Sequence, residues 1–167
     1  QQPRERIKDI MEGYAGLYGA KHTELLVNGS SAGLMASILG SVPRGGKLLM
    51  GRNSHRSVYG ALRLGGVDPV YIMPEIDDGT GLQLGLDPNK IEAALIEDPD
   101  IKAVLVTSPN YYGVLSDNER IASIVHLHGR ILIVDQAHGA HLKFFDYLRS
   151  EVGLPHRSAE NCGADLV

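Results

Sequence analysis

The chain has 167 residues, 43% of them hydrophobic, enough for one domain with a sizeable core. Sixteen basic against twenty acidic residues leave a net charge of −4, so there is no electrostatic case for binding nucleic acid or an anionic membrane. No apolar run reaches the 18 residues a membrane span needs, and the single cysteine, Cys162, fits a reducing cytoplasm.

In chain order, a first helix is expected over Arg4 to Leu17, with Ile7, Ile10, Met11 and Tyr14 on one face and Gly16 and Gly19 at its end. Leu25 to Asn28 reads as a buried strand, Gly29 to Gly33 as a turn, and Leu34 to Leu39 as an apolar helix. A strand at Lys47 to Met50, a helix at Ser57 to Leu64 and a strand at Pro69 to Met73 follow. After the glycine-rich connection Pro74 to Asp87, the pair Asp87-Pro88 opens a helix reaching Glu97, with an N-cap carboxylate before proline at the first helical position. The strand Ala103 to Val106, the helix Asp117 to His128 and the strand Ile131 to Val134 complete the pattern, and Ala164 to Val167 begins another strand.

Five strands with a sixth starting, alternating with helices, imply an α/β chain. The expected architecture is a three-layer, mainly parallel sheet covered on both faces, with residues 1–167 as one domain. Ligands of such sheets bind beyond the carboxyl ends of the strands. The residues there carry the chemistry.

The stretch Asn28 to Gly33 is rich in small residues and hydroxyls at a helix start. It suits either a phosphate or a Ser N-cap on a tight turn. Gly51 to Ser57 contains His55, which is either a flat ring for an aromatic ligand or part of a surface loop capped by Ser54. Thr107 to Gly113 reads as an ordered turn with hydroxyls at a strand end. Asp135 directly follows four apolar residues, and a buried carboxylate there needs a partner. A protonated pyridine nitrogen is one such partner; metal ligation with His138 and His141 is the other.

Together these loops resemble the large domain of the fold type I pyridoxal-phosphate enzymes, and more narrowly the bacterial ornithine/lysine/arginine decarboxylases. The matching stretches are NGSSAG at Asn28–Gly33, RNSHRSV at Arg52–Val58, TSPNYYG at Thr107–Gly113 and VDQAHGAH at Val134–His141. The resemblance implies pyridoxal 5'-phosphate as cofactor. Ser30 and Ser31 would bind its phosphate, His55 would stack on its ring, and Asp135 would pair with the pyridinium nitrogen. Ala137 would lie against the other ring face, and His138 near the cofactor and the substrate carboxylate. Thr107 or Ser108 would reach the 3-hydroxyl side. Asp135 and His138 would be the catalytic pair. The implied activity is decarboxylation of a basic amino acid. A second fold type I activity, an aminotransferase or carbon–sulfur lyase, stays open, as does a non-catalytic module of the same descent.

Two departures stand out. The family often has Glu where this chain has Gln136, whose side chain is expected to point away from the cofactor with little effect. The family also carries its Schiff-base lysine in a Ser-x-His-Lys stretch a few residues beyond a segment like Gly163 to Val167. Lys8, Lys21, Lys47, Lys90, Lys102 and Lys143 stand in no such context, and Lys143 reads as solvated. The expectation is a partial cofactor domain, inactive alone, whose sheet edge and apolar surface favour a homo-oligomer.

Overall fold

The computed structural model describes residues 5–146 and 158–167. Helices and strands alternate as α1 (Arg6–Tyr18), α2 (Gly29–Ser41), β1 (Lys47–Gly51), α3 (Arg56–Gly65), β2 (Asp68–Ile72), α4 (Pro88–Glu97), β3 (Ile101–Thr107), α5 (Asn118–Leu127) and β4 (Ile131–Asp135). The four strands form one parallel sheet in the order β2-β1-β3-β4. β1, β3 and β4 are short, buried apolar runs, which suits strands covered on both sides, whereas the edge strand β2 is mostly exposed.

Two cores follow from the period-2 alternation of strand side chains. Leu48, Met50, Ala103, Leu105 and Ile133 meet Leu34, Ile38, Val58, Ala61 and Leu62 of α2 and α3 on one face. Leu49, Val104, Val106, Leu132 and Val134 meet Ile91, Leu95, Ile121 and Val125 of α4 and α5 on the other. The chain is therefore a three-layer α/β/α domain, as expected. The Asp87-Pro88 start holds as well: the Asp87 carboxylate accepts the Asn89 N–H at 2.9 Å with proline in the first turn.

One expected strand is absent. Among the described residues Leu25 to Asn28 pairs with no strand, and Val27 is 98% exposed. A four-residue apolar run carries no periodicity that separates a strand from an extended segment. This run leads instead into α2, which starts at Gly29 rather than at Leu34. Leu26 folds back on Gly33, where a Cβ would lie 2.6 Å from its Cδ1. At the other end the begun strand takes the form of a single parallel bridge, Leu166 beside Ile133. Val134 N–H donates to Leu166 C=O at 2.8 Å.

On α1 only Met11 is buried, and Ile7, Ile10, Tyr14 and Leu17 are exposed. Among the described residues no helix is long and apolar enough to cross a membrane. Lys47 at the start of β1 donates to Asp98 at 2.7 Å; that hydrogen bond raises the lysine's pKa and lowers the carboxylate's.

Lys143 corrects an expectation. It is only 8% exposed, and its Nζ donates to Asn161 Oδ1 at 2.7 Å. The residues near it, 142–146, are helical, and the amine ties them to the segment 158–164.

Candidate active site at the carboxyl end of the sheet

Three strand ends meet the amino ends of α2 and α3 at one edge of the sheet. The central strand β3 ends at Thr107, which is in register with Asp135 of β4. Alternation places both side chains on the α2/α3 face, since they follow Ala103 and Leu105, and Ile133. His55 stands at the end of β1, on the far side of β3. Two strand spacings, about 10 Å, separate the His55 loop from Asp135.

Asp135 is 6% exposed. One carboxylate oxygen accepts the Ala137 N–H at 3.2 Å. That backbone bond is its one hydrogen bond among the described residues, a thin complement for a carboxylate at this depth. Between Asp135 and His55, the Thr107 hydroxyl is buried and has no partner among the described residues. Ser108, the other candidate for the 3-hydroxyl side, is turned away. Its fully buried hydroxyl accepts from Ser116 N–H at 3.0 Å and Asn118 Nδ2 at 3.3 Å, toward α5. Of the two, Thr107 shares the α2/α3 face with Asp135, whereas the Ser108 hydroxyl is engaged toward α5.

A cavity of about 260 Å³ lies between α2 and β4. Ser30, Asp135 and Ala137 line it together, with Gly33, Tyr18 and Glu160. Ser30 and Ser31 sit in the first turn of α2, where Asn28 makes no side-chain cap, so the helix presents uncapped amides and its positive dipole end. Ser31, His55, Ser108 and His138 do not line this cavity. His55 caps α3 with its own ring, so the cap belongs to His55 and not to Ser54, whose hydroxyl donates to Gly51 C=O at 2.7 Å. His138 is exposed and meets Tyr111 edge to face, with centroids 6.0 Å apart. Among the described residues no three His, Cys, Asp or Glu side chains gather as a metal site.

Gln136, the first residue after β4, lines the same cavity as Asp135 and carries more weight than expected. It is buried; its amide nitrogen Nε2 donates to both Glu160 oxygens at 3.1 Å, and its Oε1 accepts Ala159 N–H at 2.7 Å. This side chain pins the segment 158–164 beside β4. A glutamate there would set two carboxylates against each other. The partner is 24 residues away in sequence, which is why the motif alone does not reveal it.

The profile of the family described as "Orn/Lys/Arg decarboxylase, major domain" matches residues 2–163. The chain belongs to this family. Similar curated proteins include an arginine decarboxylase from Bacillus cereus, 34% identical over 99% of this chain, and one from Bacillus subtilis, 35% identical over the same share. The chain spans about a third of their length, 34% and 32% respectively. Among solved structures, the complex of SepCysS with the SepCysE N-terminal domain superposes on 96% of this chain and 40% of that chain at a TM-score of 0.73 and 16% identity. NtdA from Bacillus subtilis, with bound PMP, superposes on 83% of this chain and 30% of that chain at a TM-score of 0.65 and 22% identity. These likenesses show the fold, that of the fold type I pyridoxal-phosphate enzymes.

Proposed function

We propose that this domain is the pyridoxal-phosphate-binding part of a basic amino-acid decarboxylase and does not turn over substrate by itself. The observation that carries the reading is the buried Asp135 carboxylate, met by one backbone N–H, beside the unpartnered Thr107 hydroxyl. A pyridinium N–H and a ring hydroxyl are the complements these two groups lack. The donor set fits the cofactor at its other end too: uncapped amides and hydroxyls at the start of α2 suit a phosphate dianion.

When bound, the cofactor supplies an electron sink for the electrons left behind as the substrate's carboxylate departs. The protein's part is to hold it. Asp135 would accept the pyridinium N–H and keep that nitrogen charged. Ser30, Ser31 and the first-turn amides of α2 bind the phosphate. Ala137 would offer a small flat surface to one ring face and His55 would stack on the other. Thr107 would answer the 3-hydroxyl, and His138, whose ring meets Tyr111 edge to face, would lie near the substrate carboxylate. The names of the curated relatives support arginine as a substrate, and the family description extends the class to ornithine and lysine. The exposed apolar face of α1 supports a homo-oligomer, and the single cysteine fits a reducing cytoplasm.

The test is release of labelled carbon dioxide. Supplied with pyridoxal phosphate, this chain is expected to release none above background from carboxyl-labelled arginine, lysine or ornithine. A longer protein that contains the domain and a Ser-x-His-Lys stretch is expected to decarboxylate at least one of them. Full-rate release by this chain alone, or none by the longer protein, would contradict the proposal.

A further inference from the structure

The imidazole of His55 has one task in the structure, and it constrains the second that the proposed site gives it. It is the N-cap of α3, and its Nδ1 accepts the Ser57 backbone N–H at 3.2 Å. Ser, Asn and Asp are the usual residues for this role, so capping alone does not call for an aromatic ring. The Ser57 hydroxyl lies 2.8 Å from the same nitrogen.

We propose that Ser57 is a positioning residue that holds His55 in its neutral, Nε2-protonated form and so presents an uncharged ring face to a cationic cofactor ring. This rests on the cofactor site proposed above. A backbone N–H only donates, so the nitrogen it meets must carry a lone pair. The ring proton therefore sits on Nε2. With Nδ1 already an acceptor, the buried Ser57 hydroxyl is its second donor. Two donors meeting one nitrogen engage its lone pair and fix the plane of the ring.

The loop that carries the ring is also held. Arg52 Nη1 donates to the Tyr59 hydroxyl at 2.6 Å, and that hydroxyl donates back to Arg52 C=O at 2.6 Å. The Arg52 guanidinium lies over the rings of Tyr59 and Tyr71, 5.2 Å from each centroid. Ser54 closes the turn on Gly51.

Charge explains why the form of the ring matters. A pyridinium paired with Asp135 is a cation. An imidazolium stacked on it would set two like charges face to face, whereas a neutral imidazole offers a π face that attracts it. The device is local in sequence: His55, Ser57 and the first turn of α3 suffice.

The experiment is nitrogen-15 NMR of the histidine ring in the cofactor-free chain at neutral pH, followed by titration with pyridoxal phosphate. His55 is expected to show an unprotonated Nδ1 and a protonated Nε2. In Ser57→Ala the balance is expected to move toward the Nδ1-protonated form. Cofactor affinity is expected to fall about fivefold, the factor set by one neutral hydrogen bond of about 1 kcal/mol. Ser57→Thr, which keeps both donors, is expected to restore the ring signature and the affinity. A wild-type His55 protonated at Nδ1 would overturn the proposal, as would a Ser57→Ala chain with unchanged ring signals and affinity. The ring signature is read without cofactor, so a chain that has it and binds no cofactor would overturn the functional reading instead.

Discussion

Asp135→Asn is expected to weaken pyridoxal-phosphate binding by about 10²-fold or more while leaving the cofactor-free chain as stable as before, or more so. Removing one member of a buried charge pair costs about 3–5 kcal/mol, and each 1.4 kcal/mol is a tenfold change in affinity. In the free chain the same substitution relieves a cost. Asp135 is 6% exposed and receives one backbone N–H, and an asparagine of the same shape keeps an acceptor for Ala137 without a buried charge. Stability and function thus pull in opposite directions at this position, as they often do where a site is built. Thermal melting and a fluorescence titration on the same samples check both halves. A lower melting temperature with unchanged affinity would assign Asp135 to the scaffold rather than the site.

Gly139→Ala is expected to destabilise the chain by about 1–3 kcal/mol, lowering its melting temperature by about 3–10 °C. A Cβ at Gly139 would lie 2.5 Å from Pro109 Cδ, 2.8 Å from Gln136 Cγ and 3.0 Å from Leu142 Cδ1. No single movement relieves all three, because they belong to the turn after β3, the end of β4 and the helical stretch that follows. The proline ring cannot rotate away. The strain falls on Ala137 and His138, so cofactor affinity is expected to drop as well. Gly13→Ala is the comparison: its Cβ meets nothing within 4 Å inside α1, and a gain of about 0.5–1 kcal/mol is expected there. Equal melting temperatures for the two variants would contradict the steric account.

Features whose cause is local in sequence were legible. Asp87-Pro88 specifies the start of α4 with its own side chain. Four apolar residues followed by Asp135 specify a strand ending in a buried carboxylate. NGSSAG was legible as a helix start with free amides, although α2 begins five residues before the expected helix because small residues are helical here without a periodic signal. Features that depend on distant partners were not legible. Leu25 to Asn28 has strand-like composition and no neighbouring strand. Lys143 is buried because Asn161 receives it, and Gln136 matters because Glu160 and Ala159 lie beside it. Thr107 and Ser108 were equivalent until pairing with Asp135 set which hydroxyl faces which helix layer. The His55 cap lay in the plain motif, but reading it required the position of Nδ1 against Ser57.

The most direct measurement is a titration of the isotope-labelled chain with pyridoxal phosphate, followed through its backbone amide signals. The account requires saturable one-to-one binding, with the largest changes at Ser30, Ser31, His55, Thr107 and Asp135 to His138. The amino-terminal ends of the strands, Lys47 and Ile101 among them, should be unmoved. Absence of saturable binding, or changes centred elsewhere on the sheet, would contradict it.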